Sequence, residues 1–148
     1  MIRNSISVAA IVLLAAGLFS WHASAKQAAP AGGQQPTVKR TVLRQEDLAN
    51  MPGYAAALVQ VDLPVGAREG RHIHPGTLIA LVDQGTLTLD YEGKPMKDYK
   101  VGDTFYVEPG KQHEGMNKGT VPVKLIAEFV FPKDKPMTIQ IQPGAAPK

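Results

Sequence analysis

GAREGRHIHPG, residues 66–76, is the stretch that decides how the rest of this chain is read. At its centre is His72-Ile73-His74. Side chains on an extended strand alternate with a period of two, so both imidazoles fall on one face. A second stretch, PGKQHEGMN at residues 109–117, sets His113 just after a Pro-Gly turn, where it can close the same site. The only other histidine, His22, lies in an N-terminal segment with the character of an export signal. Once that segment is set aside, all the imidazole of the chain sits in one pattern, which suits a metal ion.

The sequence around these histidines has strand character. Ala57, Val59, Val61 and Leu63 alternate with more polar neighbours until Pro64. Residues 78–82 are apolar at every position, as expected of a strand buried on both faces. Leu87, Leu89 and Tyr91 alternate with Thr86, Thr88 and Asp90 ahead of a Glu92-Gly93 turn. Residues 104–107 are β-branched and aromatic, and 121–131 form another long apolar strand pattern. Glycines recur at short intervals from Gly66 to Gly119. Short strands with frequent turns predict an all-β sandwich or barrel. Residues 45–50 allow a short helix lying outside the site.

The spacing also carries a family resemblance. Gly66 is followed by five residues and then His72-Ile73-His74, with Gly85 closing the segment. Further on come Gly102, Pro109-Gly110, His113 and Asn117. These two segments resemble the paired motifs of the cupin superfamily, in its small single-domain form. The resemblance implies a double-stranded β-helix, a small jelly-roll-like barrel, in which the motifs lie on facing strands. It also implies that His72, His74 and His113 point inward as ligands of a metal such as iron, manganese, nickel, zinc or copper.

One position departs from that pattern. The family usually places a glutamate four residues after the second motif histidine, and here that residue is Leu78. A smaller departure is Glu108, where proline is usual. Three neutral imidazoles without a carboxylate favour iron, zinc, nickel or copper over magnesium or calcium. They also leave positions open for water or substrate. Leu78 equally fits a degenerate barrel whose pocket has turned apolar. Glu69, Gln84 and Glu114 are the nearest substitutes for the lost carboxylate. None has motif spacing, alternation sends Glu114 to the opposite face, and surface solvation is expected of all three. Asn117 is expected to be structural, and Met116 to pack in the core.

Bulk properties narrow the function further. Arg3, the apolar run at 8–19 and Ala23-Ser24-Ala25 form a signal-peptide pattern, with residues 1–25 removed and Lys26 as the new N-terminus. The apolar run is short of the roughly 20 residues that a spanning helix needs, so no membrane anchor is expected after cleavage. The product is expected to be periplasmic. Residues 26–36 read as a flexible leader, 37–141 as the cupin domain and 142–148 as a flexible tail. The chain has no cysteine, which excludes disulfides, thiolate ligands and a cysteine nucleophile. A net charge of +3 from scattered basic residues, out of line with aromatics, gives no nucleic-acid footprint.

Three functions fit these features. The first is a metal-dependent enzyme acting on a small organic substrate; resemblance to three-histidine cupin dioxygenases favours oxidative chemistry. Tyr106 and Glu108 are its nearest candidates for a general base, with Tyr91 and Tyr99 uncommitted. The second is a non-catalytic binder of a metal or small ligand, its apolar lining drawn from Leu78, Ile79 and Leu81. The third is a structural barrel without metal. A homodimer is implied by resemblance, with 121–131 serving either as its edge or as core.

Overall fold

The computed structural model describes residues 36–142. The expected signal peptide at 1–25, nearly all of the leader at 26–36 and nearly all of the tail at 142–148 lie outside the described residues. Ten strands follow one another, with no helix among the described residues: β1 (Lys39–Asp47), β2 (Tyr54–Leu63), β3 (His72–Ile73), β4 (Thr77–Gln84), β5 (Thr86–Tyr91), β6 (Lys97–Lys100), β7 (Thr104–Val107), β8 (His113–Met116), β9 (Val123–Pro132) and β10 (Ile139–Gln140). They form two five-stranded sheets, ordered β1-β2-β9-β4-β7 and β10-β3-β8-β5-β6. Every strand pairing is antiparallel. The architecture is the all-β double-stranded β-helix that the motifs imply.

The strict alternation of β2 and β9 builds the core. Ala55, Ala57, Val59, Val61 and Leu63 on β2 face inward beside Val123, Leu125, Ala127, Phe129 and Phe131 on β9. Leu87, Leu89 and Tyr91 of β5 meet them from the second sheet. Each fully buried large side chain here contributes about 1.5–3 kcal/mol by leaving water. Gly76 lets the chain pass close to β9, because a Cβ there would fall 1.9 Å from the Val130 carbonyl oxygen.

Three expectations are corrected. The sheets are not closed into a barrel. Ladder pairing stays within each sheet, and the terminal strands β6 and β7 are short and joined by a turn, so the two sheets face each other as a sandwich. Residues 45–50 are not helical: Gln45, Glu46 and Asp47 pair with Ala57, Ala56 and Ala55 in β2, and this ladder overrides local preference. β4 is buried on one face only. Leu78, Ala80 and Val82 point inward, whereas Ile79 is 56% and Leu81 39% exposed. Of the two roles open to 121–131 the core one holds, since strand β9 lies between β2 and β4 and offers no free edge.

Asn117 locks the loop after β8. Its Nδ2 donates to the carbonyls of Leu63 (3.0 Å) and Val121 (2.9 Å), and its Oδ1 accepts from the Gly119 amide (3.0 Å). This is the structural role expected of it. Asn117→Ala would leave the buried Leu63 carbonyl without its partner and release the turn to Val121, and is expected to cost about 2 kcal/mol. Chemical denaturation checks this, and a loss within the ordinary surface range would contradict it.

Candidate metal centre

The site is assembled on the second sheet. β3 is only two residues long, yet it pairs His72 directly with His113 of β8. His74 follows two residues after His72, on the same inward face. The Gly110 amide donates to the His74 carbonyl at 2.9 Å, which ties the Pro-Gly turn before β8 to the end of the first motif. All three imidazoles are buried. Their ring centroids are 4.9 Å apart for His72–His74, 4.2 Å for His72–His113 and 4.9 Å for His74–His113. One nitrogen from each lies within 4.8 Å of the others, close enough to hold one ion.

The hydrogen bonds orient all three rings in the same sense. Nδ1–H of His72 donates to the Gly70 carbonyl at 2.8 Å, that of His74 to the Met137 carbonyl at 2.7 Å, and that of His113 to the Lys111 carbonyl at 3.0 Å. A carbonyl can only accept, so each Nδ1 carries the proton and each Nε2 keeps its lone pair. Backbone partners of this kind fix both tautomer and ring orientation in metal-binding histidines. The donor set therefore fits a divalent ion that takes nitrogen ligands.

Burial also keeps the imidazoles neutral. Desolvation drives His74 down to about 3 and, with repulsion from His72, His113 down to about 4. Burial lowers His72 as well. At neutral pH the site is unprotonated and available to a metal.

A small cavity of about 20 Å³ adjoins the rings, room for about one water molecule. Leu78, Ala80 and Phe105 of the first sheet line it, beside Leu89, Leu125 and Phe129. Leu78 thus occupies the pocket, and no carboxylate enters from that strand. Ile79 and Leu81, expected in the lining, face outward. Tyr106 and Glu108, the expected base candidates, do not line the cavity, and Tyr106 is 48% exposed. Tyr91 stacks against His113, with centroids 6.2 Å apart, and its hydroxyl accepts from the Glu108 amide. Met116 is buried in the core, as expected.

The residues that sequence reasoning missed are Glu69 and Arg40. Glu69, expected on the surface, turns a mostly covered side chain into the cavity wall. Its Oε1 accepts from Arg40 Nη2 at 2.7 Å. Burial raises the Glu69 carboxyl, and the Arg40 charge opposes that rise. Gly115 makes room for it, since a Cβ there would sit 2.4 Å from Glu69 Oε2. Arg40 arrives from β1, and nothing in the local sequence marks a partner 29 positions away. Of the other two carboxylate substitutes, Glu114 is buried against Arg68 outside the cavity and Gln84 is exposed.

An all-β domain with buried, inward-facing histidines on paired strands is a small β-helix domain whose histidine cluster could hold a metal ion. The model of one family, described as the cupin domain, matches residues 59–129. Residues 59–129 therefore form a small domain of the cupin superfamily. Its fold is similar to that of a conserved protein with a double-stranded β-helix domain from Klebsiella pneumoniae subsp. pneumoniae, at 22% identity, covering 78% of this chain and 90% of that one, with a TM-score of 0.57. It is also similar to the DMSP lyase DddQ from Ruegeria pomeroyi DSS-3, at 20% identity, covering 62% of this chain and 45% of that one, with a TM-score of 0.54. A recombinant oxalate oxidase in complex with glycolate matches at 23% identity, covering 73% and 58%, with a TM-score of 0.56. The chain spans about half the length of these two enzymes. No curated protein matches it.

Histidine burial makes the metal-free domain sensitive to acid. Above about pH 6.5 the imidazoles are neutral whether folded or unfolded. As pH falls from there, unfolded histidines take up protons that His74 refuses until about 3 and His113 until about 4. Stability is therefore full above the unfolded value and lost on acidification, by up to about 1.4 kcal/mol per pH unit for each histidine. Urea unfolding with chelator present, from pH 7.5 to 4, should show this slope, and His74→Gln should reduce it. An identical slope in wild type and variant would contradict the assignment.

Proposed function

We propose that this domain holds one divalent metal ion through Nε2 of His72, His74 and His113 and acts on a small organic molecule as an oxygenase-type enzyme. The observation that carries this reading is the shared orientation of the rings, each Nδ1 bonded to a backbone carbonyl. Three neutral nitrogen donors favour iron, zinc, nickel or copper. When bound, such an ion supplies Lewis acidity or, as iron, a centre for dioxygen. The chain's own part is to orient the rings, to exclude bulk water with Leu78, Phe105 and Phe129, and to set the Arg40–Glu69 pair at the cavity wall. A non-catalytic metal or small-ligand binder is the second reading. It is favoured by Leu78, which leaves the ion without a carboxylate, and by the absence of an uncommitted base in the cavity wall among the described residues.

Element analysis of protein recovered without a nickel column is expected to show close to one metal per chain. His74→Ala should remove most of it, and unchanged content would refute the ligand set. Leu78→Glu should improve retention of a hard ion such as manganese, since it supplies the missing oxygen donor at a position that faces the site. Oxygen consumption or substrate turnover that tracks metal loading separates the enzyme from the binder.

We also propose export to the periplasm through the N-terminal signal pattern, with cleavage after Ala25. N-terminal sequencing of the periplasmic protein should begin at Lys26, and an intact Met1 on mature protein would contradict it. The same proposal includes a homodimer, for which the outward Ile79 and Leu81 of the first sheet offer an apolar surface.

A further inference from the structure

A second and much larger cavity, about 480 Å³, opens where the two sheets end. Its walls come from the β5–β6 hairpin and from β7, with β6 and β7 the terminal strands of their sheets. Tyr91, Tyr99 and Tyr106 contribute three aromatic rings, and Leu89 and Met96 add apolar surface. Lys94 and Lys97 complete the lining. The volume falls within the range of small-molecule sites.

The charge of this cleft is one-sided. Among the described residues no carboxylate lines it. Lys94 Nζ rests 4.3 Å from the centroid of the Tyr91 ring, and Lys97 Nζ 4.6 Å from that of Tyr99. Among the described residues neither lysine is paired with an acid. Two acids of the same hairpin are engaged elsewhere: Asp98 accepts from Thr88 Oγ1 at 2.6 Å, and Glu92 accepts from the Gln112 amide at 3.0 Å. Two ammonium groups held against ring faces in a concave, acid-free wall attract an anion. The flat tyrosines and the thioether of Met96 suit a planar apolar body.

We propose that this cleft binds a small aromatic carboxylate, its ring packed against Tyr99, Tyr106 and Met96 and its charge met by Lys94 and Lys97. The cleft lies one side-chain layer from the histidines. Leu89 lines both cavities, Tyr91 stacks on His113, and Tyr99 packs against Phe105, itself part of the histidine cavity wall. A cavity beside the histidines with room for about one water cannot take an organic substrate whole. The cleft supplies that room. Binding there does not depend on a metal at the histidines.

The probe is sodium benzoate, titrated into the full chain with NMR detection of the Met96 methyl and the tyrosine rings, beside benzamide and acetate. Saturable benzoate shifts at Met96, Tyr99 and Tyr106 are expected, with benzamide and acetate each about tenfold weaker, since one lacks the charge and the other the ring. Lys94→Met and Lys97→Met, both at exposed positions, should each weaken benzoate about threefold or more and together abolish its preference over benzamide. The titration is repeated after chelation. Unchanged affinity supports the cleft, whereas binding that disappears places the carboxylate at the metal and overturns the proposal. Shifts that stay linear, spread over unrelated lysines or match those of benzamide overturn it equally.

Discussion

Three backbone carbonyls hold the site in place. Those of Gly70, Lys111 and Met137 each take the Nδ1 proton of one histidine, and they come from three separate segments of the chain. Gly70 precedes β3, Lys111 precedes β8, and Met137 lies just before β10, which pairs with β3 along the edge of the sheet. The bonds of His72 and His113 are local, each to the residue two positions earlier, whereas that of His74 spans 63 positions, so the orientation of His74 depends on the assembled sheet and not on the motif alone. The core packing of β2, β9 and β4 supplies the opposing wall, which places Leu78, Ala80 and Phe129 over the rings.

Charge distinguishes this centre. An ion held by three neutral imidazoles keeps its full positive charge, and the inward position on β4 that could offset it is leucine. Among the described residues the one carboxylate in the cavity wall, Glu69, is engaged by Arg40. That pair is close to neutral, so a bound ion would keep its charge against a largely apolar lining. Such a setting favours a small or anionic ligand at the metal. The same sign appears at the outer cleft, where Lys94 and Lys97 face no acid.

Much of this was legible in the chain. The His-x-His alternation, the Pro-Gly turn before His113 and the regular glycines point to the strand pairing and the histidine cluster, because these are short-range signals. Asn117 was legible for the same reason, as its partners include the turn that follows it. Long-range pairing was not. Residues 45–50 looked helical because the β2 ladder that claims 45–47 is invisible locally. Ile79 and Leu81 looked buried because apolarity alone does not say which face of β4 meets solvent. Glu69 looked exposed because its partner Arg40 lies on β1 and the space it occupies depends on Gly115 of β8.

The central claim is that three imidazoles present Nε2 to one ion while their Nδ1 protons stay on backbone carbonyls. A crystal structure of the metal-loaded protein, with anomalous data collected at the edge of the bound element, tests it most directly. The account predicts a single strong anomalous peak contacted by Nε2 of His72, His74 and His113. A peak elsewhere, or contact through Nδ1 of any of the three rings, would contradict it.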